Sequence, residues 1–420
     1  MKQLFCLLLA ALLLVGTLTA CEKAETPAES VESVEAETPT ERNLDIATEL
    51  PANWADNVPG AYSGGVDGVD FVLNIESGKD IEIIQFTDTQ IQVAETARND
   101  LRKQDLTCTY GDVFTYEEKL DKYIRTVLEN SDPDLIVITG DLVYGETDDS
   151  GEHLQHLIAL MDSFETPWAV CFGNHDNESN KGVLWQCEQL ASAEYGIFKR
   201  GSVTGNSNYN IVLRQDGEIK NTVFLFDTHG CRVLPREGAG LQAENPDYDL
   251  ITQEEGIFDD QIEWFVSCNE AIQKLAGRET VGNLTFQHIP VREAFVAVNE
   301  KYQPNANTTT VRCRQDGDCG FLMDGVGQSW GVDQDGKLLA ACRANGTLGM
   351  FFGHTHNNDA SVLWNGIRYT FGSKTGTYDF YTQALLGGTQ IMLDSETGEL
   401  SVAHLKYDVL LRAEAETAEP

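Results

Sequence analysis

Phe172-Gly173-Asn174-His175-Asp176 and Gly353-His354-Thr355-His356 are the two stretches that decide the fold of this chain. Each stretch ends a run of apolar residues, 168–172 in the first case and 348–352 in the second. Each also places several possible metal ligands in a single turn. Imidazole nitrogens and carboxylate or amide oxygens are the groups that proteins use to bind Mn, Zn and Fe. The two stretches therefore predict a metal site at the ends of two buried strands.

Three further apolar runs end in the same way, in an aspartate or a histidine. These are residues 80–86 before Asp88, 135–138 before Gly140-Asp141, and 284–287 before His288. A short run that is apolar throughout is typical of a strand buried on both faces. In open α/β sheets, ligands bind at the carboxyl ends of the strands. Helical spacing lies between the runs, at residues 114–130, 152–164 and 258–275, so the sequence predicts an α/β fold.

The order of these motifs resembles that of the calcineurin-like metallophosphoesterase superfamily, and the resemblance covers residues 80–380. It implies a two-sheet β-sandwich flanked by helices, with a dinuclear metal site at the loop edge. It also implies an enzyme that hydrolyses a small phosphoester substrate, and we expect a monoester rather than a diester. Two cations roughly 3.5–4 Å apart can clamp a phosphoryl oxygen and generate hydroxide for in-line attack.

The resemblance implies a role for each motif residue. Asp141 is similar to the carboxylate that bridges both ions. The other ligands of the first ion, at what we call the first position, would be Asp88 and His356. The other ligands of the second ion, at the second position, would be Asn174, His288 and His354. His175 would donate to the leaving oxygen or to the developing phosphoryl charge, and Asp176 would orient its ring.

One departure from the family pattern concerns the first position. The first motif of the family is usually Asp-x-His, whereas this chain has Asp88-Thr89-Gln90. Gln90 could offer an amide oxygen, which is a weaker ligand than imidazole. Tyr144, three residues after Asp141, stands where the purple acid phosphatases of this superfamily place a tyrosine whose phenolate binds ferric iron. The metals would be two divalent ions (Mn, Zn or Fe) or, with Tyr144, Fe(III) and a divalent ion.

Gln90 also supports a hypothesis from another functional class. A lipoprotein with a degenerate site could bind metal or another ligand without turnover. Against it stands His175, which a protein that only binds metal does not need. Both hypotheses are open at this point.

The N-terminal residues read as an export signal. Met1-Lys2 is followed by an apolar stretch from Leu4 to Ala20, and Leu18-Thr19-Ala20-Cys21 looks like the lipobox of bacterial lipoproteins. Residues 1–20 would be a signal peptide, and Cys21 would carry the lipid. More than one acyl chain on one residue is a stable anchor. We therefore expect an extracytoplasmic protein, held at the cell membrane through its N-terminal lipid.

Residues 21–60 are acidic and contain few large apolar side chains, so they predict a disordered tether. Residues 61–412 would form the catalytic domain and residues 413–420 an acidic tail. The net charge of −38 disfavours nucleic acid as a partner. The sequence does not allow a protein partner to be inferred. Lys374 and Arg292 are candidates for contact with substrate phosphate or, alternatively, surface charges.

Ten cysteines occur in the chain, and Cys6 and Cys21 belong to the leader and the lipid site. Cys171, inside an apolar run, is expected to be a buried thiol. Cys313 and Cys319 could pair with each other or with Cys342, in a compartment that permits disulfides.

Overall fold

Two sheets, built from runs of Val, Ile and Phe, carry the fold. The computed structural model describes residues 62–91, 116–143, 151–179, 181–230, 247 and 250–418. The leader, Cys21, the whole tether and Tyr144 lie outside the described residues, so the structure does not test the predictions made for them.

The strands, in chain order, are β1 (Tyr62–Val66), β2 (Val69–Ile75), β3 (Ile81–Phe86), β4 (Leu135–Thr139), β5 (Trp168–Cys171), β6 (Gly196–Ile197), β7 (Tyr209–Gln215), β8 (Glu218–Phe226), β9 (Gly282–Gln287), β10 (Val311–Arg312), β11 (Phe321–Leu322), β12 (Thr347–Phe352), β13 (Ser361–Trp364), β14 (Ile367–Phe371), β15 (Gly387–Leu393) and β16 (Leu400–Lys406). The helices are α1 (Tyr116–Glu129), α2 (Glu152–Asp162), α3 (Val183–Ala191), α4 (Asp259–Ala276), α5 (Arg292–Tyr302), α6 (Lys337–Ala344) and α7 (Tyr407–Ala418). Among the described residues, no helix is both long and apolar enough to span a bilayer.

One sheet has eight strands in the order β1-β2-β7-β8-β9-β12-β14-β13, and the other has six in the order β16-β15-β3-β4-β5-β6. The centre of each sheet is parallel: β3, β4, β5 and β6 in the smaller sheet, and β8, β9, β12 and β14 in the larger. Parallel neighbours end at the same edge, so the loops after β3, β4, β5, β9 and β12 can meet. The expected α/β fold with two sheets and flanking helices is confirmed.

The core lies between the two sheets, and alternation along each strand produces it. On β7, Ile211 and Leu213 face the smaller sheet, whereas Val212 packs on the other side of its own sheet with α4 and α5 residues. Successive side chains of a strand point to opposite faces. β4 is buried at all five positions, as its uninterrupted apolar sequence predicted.

Tyr209 links the two sheets by hydrogen bonds inside this core. It belongs to β7 of the larger sheet, yet its hydroxyl accepts the Val170 N–H at 3.0 Å and lies 2.8 Å from the carbonyl oxygens of Val170 and Ile197 in the smaller sheet. The side chain is fully buried. Burial raises the pKa of the Tyr209 phenol well above its ordinary value, although the bond to Val170 opposes the rise.

Helix α7 includes the acidic residues from 413 to 418. Alanine and glutamate are strong helix formers, and neither Gly nor Pro interrupts them before Pro420. One sequence expectation needs correction: the pairing considered for Cys313, Cys319 and Cys342 is wrong, because all three are free thiols. Cys171 is a buried thiol, as expected.

We predict that Tyr209→Phe lowers the free energy of unfolding by about 1–3 kcal/mol, because the buried Val170 N–H loses its partner. Wild-type stability should also decline above pH ~10, since the unfolded tyrosine then ionises while the folded one, with its raised pKa, does not. Urea unfolding at pH 7 and pH 10.5 measures both effects. Tyr381→Phe, at a position 38% exposed, is the control and should change stability by less than about 0.5 kcal/mol. Equal stability of the Tyr209→Phe variant and the wild type would contradict the role of this hydroxyl.

Candidate metal centre

The loops after five strands bring the predicted ligands together. Asp88 follows β3, Asp141 follows β4, Asn174 follows β5, His288 follows β9 and His354 follows β12. Three of these residues turn sharply out of their strands with a left-handed backbone, with φ of 51° at Asp88, 51° at Asp141 and 69° at His354. This conformation is uncommon for residues other than glycine and clusters at functional sites.

Gly173 allows the loops after β4 and β5 to approach each other. A Cβ on this residue would lie 2.5 Å from the backbone nitrogen of Asp141 and 2.9 Å from the ring carbon Cδ2 of His288. Real side chains do not tolerate such contacts. The glycine before Asn174 is thus required by the close packing of two ligand loops.

Four ligand atoms lie in a row at the second position, each within 3.4 Å of the next. Asn174 Oδ1 lies 3.1 Å from His354 Nδ1, which lies 3.3 Å from His288 Nε2. His288 Nε2 in turn lies 3.4 Å from Asp141 Oδ2. All four residues are buried or nearly so.

This spacing fits a divalent cation. Ligand atoms about 2.0–2.1 Å from a tetrahedral zinc ion lie about 3.3 Å from one another, close to the spacings between these neighbouring atoms. The set combines one carboxylate with two imidazoles and one amide oxygen, which suits Mn, Zn or Fe. Asp88, Asp141 and His288 also bring ligand atoms within 4.8 Å of one another.

Hydrogen bonds set the orientation of two ligand rings. His288 Nδ1 donates to the Thr139 carbonyl at 2.8 Å, so Nε2 faces Asp141, and a cation bound there would replace the Nε2 proton. His356 Nδ1 donates to the Phe380 carbonyl at 3.0 Å, and its Nε2 lies 3.1 Å from Asp88 Oδ1. Outer partners of this kind fix the tautomer of metal-binding histidines.

The electrostatics of the cluster favour cations. Burial acts to lower the pKa of His288, but Asp141 and Asp88 outweigh it and raise this pKa to about 10. Burial and the neighbouring His288 lower the pKa of His354 to about 3. The cluster thus has strong negative potential at the carboxylates and a neutral imidazole beside them, as a metal site needs.

The role expected for Asp176 was wrong. The ring of His175 bonds instead to Glu178, with Nδ1 2.7 Å from Oε2. The Asp176 carboxylate accepts the N–H groups of Gly173, Asp141, Leu142 and Val143. Asp176 begins a 3-10 turn that spans Asp176–Glu178, and its side chain points back to the loops. Glu178, three residues after His175, reaches the His175 ring. The sequence analysis missed Glu178 as the partner of His175, although the two residues are three apart and could share one turn.

Gln90 is near the first position, but its amide oxygen is not directed to a metal there. This oxygen accepts a hydrogen bond from Lys374 Nζ at 2.7 Å, and the Gln90 Nε2 group donates to Asp141 Oδ2 at 3.2 Å. Lys374 is 1% exposed, so it is not a surface charge. Of the residues predicted for the first position, Asp88, His356 and Asp141 are together, and Tyr144 lies outside the described residues.

A cleft of about 250 Å³ opens over the centre. Asp141, His175, His354 and His356 form its floor, and its other lining residues are Asp324, Trp330, Thr355, Asp379 and Phe380. Asp324 and Trp330 bring the segment between α5 and α6 to the cleft. Arg292, the other expected phosphate contact, lines a different cavity with helix α5 residues. Sequence reasoning missed Asp379 and Phe380, because they follow the last predicted motif.

Comparisons with known proteins agree with this geometry. The chain is 26% identical to the probable inactive purple acid phosphatase 28 of Arabidopsis thaliana over 62% of each chain. It is 24% identical to the phosphatase DCR2 of Saccharomyces cerevisiae over 60% of this chain and 41% of that one. The chain thus spans less than two thirds of the length of these relatives.

Among solved structures, a dimetal phosphatase from Danio rerio is similar with a TM-score of 0.42 and 13% identity, over 78% of this chain and 99% of that one. Residues 81–358, well over half of the chain, match the family described as calcineurin-like phosphoesterase. This match spans the ligand loops from Asp88 to His356. The chain therefore belongs to the calcineurin-like phosphoesterase family.

Proposed function

We propose that this protein is a metal-dependent hydrolase of small phosphoesters, with monoesters preferred over diesters. The observation that carries the proposal is the row of buried ligand atoms that runs from Asn174 through His354 and His288 to Asp141, beside a histidine that faces the same cleft. The relatives named as phosphatases support the reaction class.

Asp141, Asn174, His288 and His354 would hold the divalent ion, Mn, Zn or Fe. When bound there, such an ion polarises a phosphoryl oxygen and lowers the pKa of a coordinated water. The resemblance to the family adds a second ion at the first position, divalent or ferric. The ligands of that ion would be Asp88, Asp141 and His356, and Tyr144 is the remaining candidate ligand.

His175 would transfer a proton in the cleft. Its Nδ1 lies 2.7 Å from Glu178 Oε2, and we assign Nε2 as the nitrogen that would meet the leaving oxygen. The buried Glu178 carboxylate holds the His175 ring through Nδ1 and would orient it towards the substrate. This arrangement is a general acid with a positioning carboxylate.

A second candidate function is a metal-binding protein without turnover. The bond between Lys374 and Gln90 favours it, because a residue of the usual first metal site is engaged elsewhere. Several relatives carry names that call them probable inactive phosphatases. His175 and its buried partner favour the hydrolase, since a metal carrier does not need a proton donor in its cleft.

The place of action is proposed from the N-terminal sequence. Leu18-Thr19-Ala20-Cys21 supports cleavage before Cys21 and lipidation of its sulfur. The acidic residues up to 60 would then extend as a self-repelling tether between the membrane and the catalytic domain. The substrate would be met outside the cytoplasm.

We predict that His288→Ala loses bound metal and reduces turnover of an aryl phosphate monoester by more than about 100-fold. The loss should exceed the roughly 10–100-fold that follows when only an outer partner of a metal ligand is removed, because His288 would bind the metal itself. Elemental analysis of the purified protein and a colorimetric assay measure the two quantities. His156→Ala is the matched control, since His156 lies on α2 and pairs with Asp121; it should change neither. Metal content equal to wild type in His288→Ala would reject the assignment of the second position.

For the proton donor, His175→Ala should lower kcat by about 10²–10⁴-fold with unchanged metal content. Glu178→Gln should lower kcat by about tenfold or more with unchanged metal content, because the ring of His175 loses the carboxylate that orients it. Steady-state kinetics with elemental analysis test both changes. An unchanged kcat in Glu178→Gln would contradict the positioning role of Glu178. Wild type that binds metal but hydrolyses no phosphoester would favour the second candidate function.

For the anchor, Cys21→Ser should move the protein from the membrane fraction to the soluble fraction of the producing cells, because the thioether cannot form. Immunoblots of both fractions, together with mass spectrometry of the N-terminal peptide, measure this. A wild-type peptide that carries no lipid would refute the proposed anchor.

A further inference from the structure

Lys374 enters the metal centre from a sixth strand end. It lies in the loop after β14, which runs parallel to β12, so this loop reaches the same edge as His354. Two backbone hydrogen bonds join this loop to the loop after β3. Thr375 N–H donates to the Thr87 carbonyl at 2.9 Å, and Gly376 N–H donates to the Asp88 carbonyl at 3.1 Å. The lysine is therefore held in place by the backbone that also carries Asp88.

The partners of Lys374 Nζ are neutral oxygens. It donates to Gln90 Oε1 at 2.7 Å and to the Asp88 carbonyl at 3.2 Å. An ammonium that is 1% exposed needs negative charge nearby. Burial lowers the pKa of Lys374, and Asp88, Asp379 and Asp141, which act on the lysine through space, oppose this fall and favour its charged form. These include both carboxylates of the first position.

Gln90 connects this ammonium to the bridging carboxylate. Its oxygen accepts from Lys374 and its Nε2 group donates to Asp141 Oδ2. Asp141 Oδ1 already accepts the His175 N–H at 3.0 Å, and Oδ2 also faces His288. An oxygen that would be shared with a second ion is thus engaged by an amide donor.

The charges of the centre lead to the same conclusion. Asp88 and Asp141 bring two negative charges, and Lys374 neutralises part of them before any metal binds. A second dication would sit close to a buried ammonium and to the first dication, in a medium where like charges repel far more than in water. Additional ligands at the first position could offset this repulsion. Residue 90, however, is a glutamine and provides no imidazole there.

We propose that Lys374 is a fixed cation that takes the electrostatic place of the first metal ion, so that this chain binds one divalent ion tightly. The inference rests on the metal centre of the proposed function and concerns its composition. The ion lies at the second position, and a second ion binds weakly. In the reaction, the ammonium contributes positive charge on the side of the cleft where relatives with two ions use metal.

The test uses the full-length protein, loaded with Mn²⁺ and passed over a desalting column. Wild type should retain one Mn²⁺ per chain by elemental analysis and give the electron paramagnetic resonance spectrum of an isolated ion. Lys374→Met should raise the affinity for a second Mn²⁺ by about tenfold or more in calorimetric titration, since a like charge within a few ångströms has effects of this size on ion binding. Gln90→His combined with Lys374→Met should retain two ions and show a spin-coupled spectrum.

Two further variants separate charge from folding. Lys374→Arg keeps the positive charge and should retain one ion. Lys301→Met removes a lysine that pairs with Asp318 away from the centre and should leave the stoichiometry at one. If Lys374→Met does not fold, two other measurements still test the inference. These are the wild-type stoichiometry and the Gln90→His single variant, which we expect to gain affinity for a second ion.

Two tightly held ions in wild type would overturn the inference, as would iron with a visible absorption band that disappears in Tyr144→Phe. A second-ion affinity unchanged in both Lys374→Met and Gln90→His would overturn it as well. These outcomes leave the hydrolase intact. Failure of the proposed function would look different, as wild type that retains no ion and turns over no phosphoester.

Discussion

The carboxylate of Asp176 connects the loops on which the metal centre is built. It accepts four backbone N–H groups, three from the loop after β4 and one from Gly173. Burial and the neighbouring Asp141 raise the pKa of Asp176 to about 7, while the N–H donors oppose that rise. The spacing of Asp141, Asn174 and His175 depends on this group, because each of them lies on a loop that it holds.

The sequence predicted most of the centre because its ligands come from strand ends. A buried parallel strand is recognisable as an apolar run, and the next polar residue lies at a common edge. Asp88, Asp141, Asn174, His288, His354 and His356 were all found in this way. β4 and β5 match their expected bounds within one residue for the same reason.

Other features depend on contacts between residues distant in the chain. Lys374 is 284 residues from Gln90, and no local pattern shows that a lysine in a Gly- and Thr-rich stretch will be buried. The link from Tyr209 to the smaller sheet depends on how the two sheets pack. Glu178 is different, since its spacing from His175 was visible, but the adjacent Asp176 offered a simpler partner. The contacts that the sequence did not predict are thus mainly those of side chains around the metal ligands.

The left-handed backbone at Asp88 and Asp141 has a consequence for how such a protein can evolve. Asparagine and glycine tolerate this conformation best, and a single nucleotide change converts an aspartate codon into one for either residue. A lineage can therefore remove a catalytic charge while the loop keeps its shape and the sheets remain intact. Loss of catalysis in this family is then a short mutational step that leaves a folded scaffold available for another use.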